Sequence, residues 1–194
     1  MQPSMVVERL TRPTGELELV ERARHGDVHA YDSLVTSRLG TAYRLVKAIL
    51  GDAADADDVT QEAFVQAWRS LPQLRDADRF DAWFGRILVN TARMHLRSRR
   101  TVMTVSVGTL EMDGRTNSAL GRTDRALEGV ATSEALQQAI DRLTIDQRTI
   151  LALHHLDERP LKEVGEILGI PVGTAKWRLH EARAALKRAM ESLS

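Results

Sequence analysis

Lys176, Arg178, His180, Arg183 and Lys187 recur along "VGTAKWRLHEARAALKRAM", with Trp177 among them and Leu179, Ala182 and Leu186 at the spacing of the opposite helical face. Basic side chains on one helical face neutralise phosphates, and Arg reads guanine edges by two hydrogen bonds. The plainer reading is a solvated basic face. A second group is acidic: Asp52, Asp55, Asp57, Asp58 and Glu62 crowd "DAADADDVTQEAF". Nothing phosphate-binding accompanies these carboxylates, such as a Gly-rich loop with Lys, so a helix start and a protein-binding face explain them better than Mg²⁺ does. A third group is mixed. Phe80, Trp83 and Phe84, three of the eight Phe, Trp and Tyr residues, open a segment that ends in Arg93, Arg97, Arg99 and Arg100. Aromatics beside Arg and Asn90 can hold unstacked bases of a single strand. A cluster of this kind is more often core, and Phe84 belongs there on its spacing with Leu88; Phe80 and Trp83 stay open. His154 and His155 have no ligand partner at i+4 spacing, so neither a metal site, a cofactor nor catalysis is expected.

The elements that must position these groups are helices. "GELELVERARHGDVHAYDSLVTSRLGTAYRLVKAILGD" carries Leu34, Tyr43, Val46 and Leu50 at helical spacing, and Val59, Ala63, Ala67 and Leu71 form the next apolar stripe. "RFDAWFGRILVNTARMHLRSRR" follows the loop "PQLRDAD" and spans roughly 33 Å if helical throughout. From Thr101 the texture changes to Thr, Ser and Gly with no trusted period; "VMTVSV" could form a short strand, but an isolated one. A linker of roughly thirty residues argues for two modules. Helices resume with "SEALQQAIDRL", for which Ser133 is a fair N-cap, and Pro160 suits the first position of "PLKEVGEILG". Gly169, Ile170 and Pro171 then separate that helix from the basic one, which makes a helix-turn-helix whose second helix fits the major groove.

Composition sets the outer bounds. In 194 residues, Lys plus Arg equal Asp plus Glu at 27 each, and there is no Cys. Disulfides and thiolate metal sites are excluded, and the overall charge hides the local segregation. No segment has the length or apolarity of a signal peptide or a membrane span, so a soluble cytoplasmic protein without membrane insertion is expected. The expected organisation is all-α: a disordered stretch over 1–14, a helical domain over 15–100, a flexible linker over 101–132, and a second helical domain with the helix-turn-helix over 133–194.

"DAADADDVTQEAFVQAW", then "FDAWFGRILVNTARMHLRSRR", then "LKEVGEILGIPVGTAKWRLHEARAAL" past the linker, resemble the extracytoplasmic-function sigma factors, the smallest bacterial sigma subunits of RNA polymerase. The resemblance covers about residues 20–100 and 133–190. It implies a chain that binds core RNA polymerase, directs it to promoters and helps to open them, performing no catalysis itself. It implies further that Asp55, Asp58, Gln61, Glu62 and Phe64 bind the clamp helices of the largest catalytic subunit. Asn90, Arg93 and Arg97 would lie near the melted minus-ten strand, where Phe80 and Trp83 are candidate stacking surfaces and "PQLRDAD" could pocket a flipped base. Gly173, Thr174, Lys176, Arg178, His180 and Arg183, with Trp177 and Lys187 beside them, would face the minus-thirty-five duplex. The resemblance also leaves room for an anti-sigma partner. This chain departs from the pattern at Gly165 (usually Ala, at a cost to the helix of about 1 kcal/mol), at Ala175 (usually a larger aliphatic) and at Trp177 (usually small and polar). Two roles are open to Trp177: stacking on sugar or a thymine methyl, and packing against a neighbouring domain. The linker is close to neutral, which counts against its mimicking a nucleic acid.

Two other classes are compatible with parts of the chain. One is a stand-alone helix-turn-helix regulator with a helical sensing or dimerisation domain; the other is an interaction protein that sequesters a partner through its first half. The acidic patch followed by an aromatic-basic helix separates both from a sigma factor.

Overall fold

A computed structural model describes residues 14–51, 53–106 and 130–193. The expected disordered N-terminus (all but Thr14), Asp52 and most of the expected linker lie outside the described residues. Every described element is helical. α1 (Thr14–Arg24) and α2 (Val28–Leu50) are two helices where the apolar period alone had not placed a break. Gly26 takes φ 93°, open to Gly without strain, and Asp27 caps α2 by accepting from the Ala30 amide at 3.1 Å. That amide, followed by the Arg22 guanidinium, holds the Asp27 carboxyl below the usual carboxylate range.

α3 (Ala53–Ser70) and α4 (Phe80–Ser106) pack with α2 into the first core. Leu45, Val46 and Ile49 of α2 meet the expected stripe Val59, Ala63, Ala67 and Leu71, all fully buried. Two alanines in that stripe let α3 approach closely, and Phe84, Leu88, Val89 and Ala92 of α4 fill the remaining side. Tyr31 donates its hydroxyl to the Phe64 carbonyl at 2.5 Å, and burial pushes its phenol up to about 12. Between α3 and α4, "PQLRDAD" is pinned down by buried Leu71 and Ala77 in two 3-10 turns and by buried Leu74 between them, with its polar residues outward. α4 runs about 40 Å and includes 101–106, so the start of "VMTVSV" extends a helix rather than forming a strand.

α5 (Val130–Asp141), α6 (Ile145–Leu151), α7 (Leu161–Leu168) and α8 (Val172–Glu191) form the second group. Ser133 lies inside α5 and is not its cap, and Pro160 is the residue before α7 rather than its first. Thr144 caps α6 by a reciprocal pair with Gln147, each side chain bonded to the other's backbone amide. A π turn over Ala152–Leu156 widens the exit from α6, closed by the Asp157 amide on the Ala152 carbonyl at 3.0 Å.

The two groups touch. α6, the π turn and α7 pack on α2 and α4, and buried apolar side chains run from one group into the other. Gly85 lies at this approach: a Cβ there would stand 2.9 Å from Ile167 Cδ1. Buried Arg148 reaches the Leu50 carbonyl at the C-terminal end of α2, where open carbonyls and the helix dipole favour a cation. Arg79 pairs with Glu166 at 3.0 Å, and Arg93 with Asp146 at 2.8 Å, along the rim.

Candidate nucleic-acid and protein interfaces

The helix-turn-helix is built as its sequence demands. α7 ends with Gly169 at φ 67°, and the Ile170 amide returns to the Gly165 carbonyl at 2.9 Å. This return brings the Ile170 carbonyl so close that a Cβ on Gly165 would stand 2.8 Å from it. Gly165 is therefore a requirement of this turn, where the sequence alone suggested only a weakened helix. Ala175, Leu179 and Ala182 of α8 face inward and are buried, and Leu186 is half-buried. Ala175 is fully buried, so the position usually held by a larger aliphatic belongs to the core here.

The outward face of α8 carries Gly173, Lys176, Trp177, His180, Arg183 and Lys187, all exposed, with Thr174 and Arg178 half-exposed at its side. Trp177 is 64% exposed, so in this arrangement it does not pack against the other group. Arg183 donates through Nε to His155 Nε2 at 3.1 Å. Lys187 lies 3.8 Å from Glu191 in a solvated pair worth little. Val172, 54% exposed at the start of α8, adjoins this face and was not among the residues expected there.

On α4 the aromatic cluster divides. Phe80 is core, 3% exposed, with Phe84 stacked at 5.9 Å and the Arg38 guanidinium over its ring at 5.8 Å. It is thus removed as a stacking surface for bases: burial beneath Arg38, itself paired with Glu16 and Asp81, leaves it no open face. Trp83 stays half-exposed beside it at 5.8 Å. Trp83, Asn90 and Arg97 recur every seven residues on one face, with Met94, 62% exposed, between the last two. Met94 was not among the expected contacts; it follows from completing that face. Arg86 and Arg93 lie along one edge of the face, engaged by the Glu166 carbonyl and by Asp146 of the second group.

α3 presents Asp58, Gln61, Glu62 and Val65 together on its exposed side. Val65, 47% exposed, is a second residue the sequence reading missed. Asp55 is half-buried and already paired with Arg99, so it braces α4 to the start of α3. Phe64 points the other way: it is buried against Phe84 at 4.9 Å and is core, not a partner-facing residue. Helical spacing explains it, since Phe64 stands four residues after buried Thr60 and three before buried Ala67. No cluster able to hold a metal ion occurs among the described residues, and no described helix is long and apolar enough to cross a membrane.

Sigma-70 region 2 matches residues 34–102 and sigma-70 region 4 matches residues 133–186. The RNA polymerase sigma-H factor of Pseudomonas aeruginosa is 32% identical, covering 91% of this chain and 94% of the relative. SigW of Bacillus subtilis, an extracytoplasmic-function sigma factor, is 30% identical over 90% of this chain and 96% of its own. The sigma-E factor of Escherichia coli is 32% identical over 90% and 94%. In fold, the chain is similar to CnrH bound to the cytosolic domain of CnrY (TM-score 0.66, 24% identity, 92% of this chain and 99% of that one). It is also similar to the sigma factor RpoE of Bartonella quintana bound to the anti-sigma factor NepR (TM-score 0.63, 20% identity, 83% and 96%). With both regions matched in order and relatives above 30% identity along nearly the whole chain, the protein belongs to the sigma-70 family, among its extracytoplasmic-function sigma factors.

Proposed function

We propose that this chain binds core RNA polymerase in the bacterial cytoplasm, directs it to specific promoters and helps to open them, conferring specificity on the polymerase's reaction. The observation that carries the reading is the presence on one chain of three separate surfaces: the acidic face of α3, the Trp83–Asn90–Arg97 face of α4 and the basic face of α8. A duplex-binding regulator needs only the last. Asp58, Gln61, Glu62 and Val65 serve as the polymerase contact, with Asp55 contributing through its brace on α4. Trp83, Asn90, Arg93 and Arg97 hold the melted minus-ten strand, with Met94 beside them. Gly173, Thr174, Lys176, Trp177, Arg178, His180, Arg183 and Lys187 face the minus-thirty-five duplex. Domain boundaries near residues 15–106 and 130–193 fit the helical groups. An anti-sigma partner is part of the reading, since the similar RpoE structure is a complex with an anti-sigma factor.

On this reading the packed arrangement must open. Elements ten and thirty-five base pairs upstream are about 25 base pairs apart, or ~85 Å at ~3.4 Å per pair. α8 is only about 30 Å long, and Arg93 touches Asp146 of the second group. The groups separate when both elements are engaged.

The experiment is retention on purified core polymerase. The chain is expected to be retained, and the double charge reversal Asp58→Lys, Glu62→Lys to be lost with its helical circular dichroism unchanged. Exposed carboxylates near a helix start contribute tenths of a kcal/mol to stability, whereas like charges meeting at a desolvated interface cost several. Failure of the unaltered chain to bind core enzyme would remove the reading.

A further inference from the structure

Arg183 reaches the exposed face of α8 with one of its donors already used. Its Nε–H points at His155 Nε2 across 3.1 Å. An Arg held through Nε keeps its two terminal Nη groups together and free, the end that matches N7 and O6 of a guanine or two phosphate oxygens. His155 belongs to no part of α8. It sits on the π turn between α6 and α7, where the extra residue in the turn carries its ring toward α8.

That ring is braced. His154 lies edge-on to it, centroids 4.9 Å apart, and His154 Nδ1 is 2.9 Å from the Arg159 carbonyl. Accepting from Arg183 requires His155 Nε2 to be unprotonated, with the proton on Nδ1. Burial, then the Arg183 charge, then His154 lower the basicity of His155, which keeps the ring in that form.

We propose that His155 is a positioning residue for DNA recognition: it anchors Arg183 through Nε and so aims the paired Nη groups of that guanidinium at the major groove. The proposal rests on the reading that α8 enters the groove. A free Arg side chain loses rotamer entropy when it meets DNA, and one tethered at Nε has already lost part of it. His155 thus contributes selectivity without touching a base.

The test uses full-length chain in holoenzyme with core polymerase. The probes are the strongest duplex that the unaltered holoenzyme selects from a randomised pool, and a scrambled duplex of the same composition. His155→Leu should weaken the selected duplex about 3- to 10-fold, the range of one net hydrogen bond, and leave the scrambled one unchanged. His155→Gln, which restores an acceptor, should recover most of the loss. In an Arg183→Ala background, His155→Leu should have no further effect. Unaltered affinity in His155→Leu with normal core binding would overturn the proposal alone, as would equal loss in the Leu and Gln variants or additivity with Arg183→Ala. If the unaltered holoenzyme selects no duplex at all, the groove reading fails and takes the proposal with it.

Discussion

Gly165 and the Phe80–Trp83 pair show what single residues decide in this protein. Gly165→Ala should improve helix propensity by about 1 kcal/mol, yet its Cβ would press on the Ile170 carbonyl, a backbone atom that cannot swing away. Overpacking of this kind costs about 1–3 kcal/mol, so we expect net destabilisation of about 1 kcal/mol in urea unfolding; a stabilised variant would show that the turn relaxes freely. Phe80→Ala should cost about 3–5 kcal/mol of stability, as for a buried ring. Trp83→Ala should cost much less and instead reduce open complexes made with core polymerase. The reverse outcome would move the stacking surface to Phe80. Sequence alone did not separate these two aromatics, because the deciding fact is Arg38 arriving from α2 to cover one of them. Phe64 was misplaced for a related reason: its position in a motif was weighed above its helical spacing from buried Thr60 and Ala67.

At the level of elements, the sequence was most legible where an apolar period and a backbone breaker coincide. The stripe Val59–Leu71, the turn at Gly169–Pro171 and the inward Leu179 and Ala182 stand where periodicity puts them. Boundaries were less legible. Ser133 reads as a cap, but α5 starts three residues earlier, and α4 runs through 101–106 despite their Thr and Val content. The π turn leaves no periodic trace, because one extra residue in a turn looks like ordinary phase drift; with it went the chance of seeing His155 beside Arg183. The α8 reading yields a prediction at this scale. Arg178→Ala should weaken binding to the preferred upstream element by about 1–3 kcal/mol while sparing random DNA. Lys187→Ala should weaken all sequences alike and lower the salt slope by about one. Equal loss on both DNAs for Arg178→Ala would mark it as a phosphate contact only.

For the whole molecule, the two helical groups were legible but their docking was not, since Gly85, Arg93 and Arg148 carry no sequence sign of their distant partners. In the docked arrangement Gly85 leaves room for the Ile167 side chain. Gly85→Leu should force the groups apart and raise the radius of gyration in solution scattering, with helix content retained; an unchanged radius would show that Ile167 yields. The central claim is that this chain makes core polymerase open promoter DNA, and permanganate reactivity of thymines tests it most directly. With core enzyme and a selected promoter, a short run of reactive thymines should appear around the minus-ten element only when the chain is added, and Asn90→Ala with Arg93→Ala should diminish it. A duplex that is bound and protected upstream while its thymines stay unreactive would contradict the account.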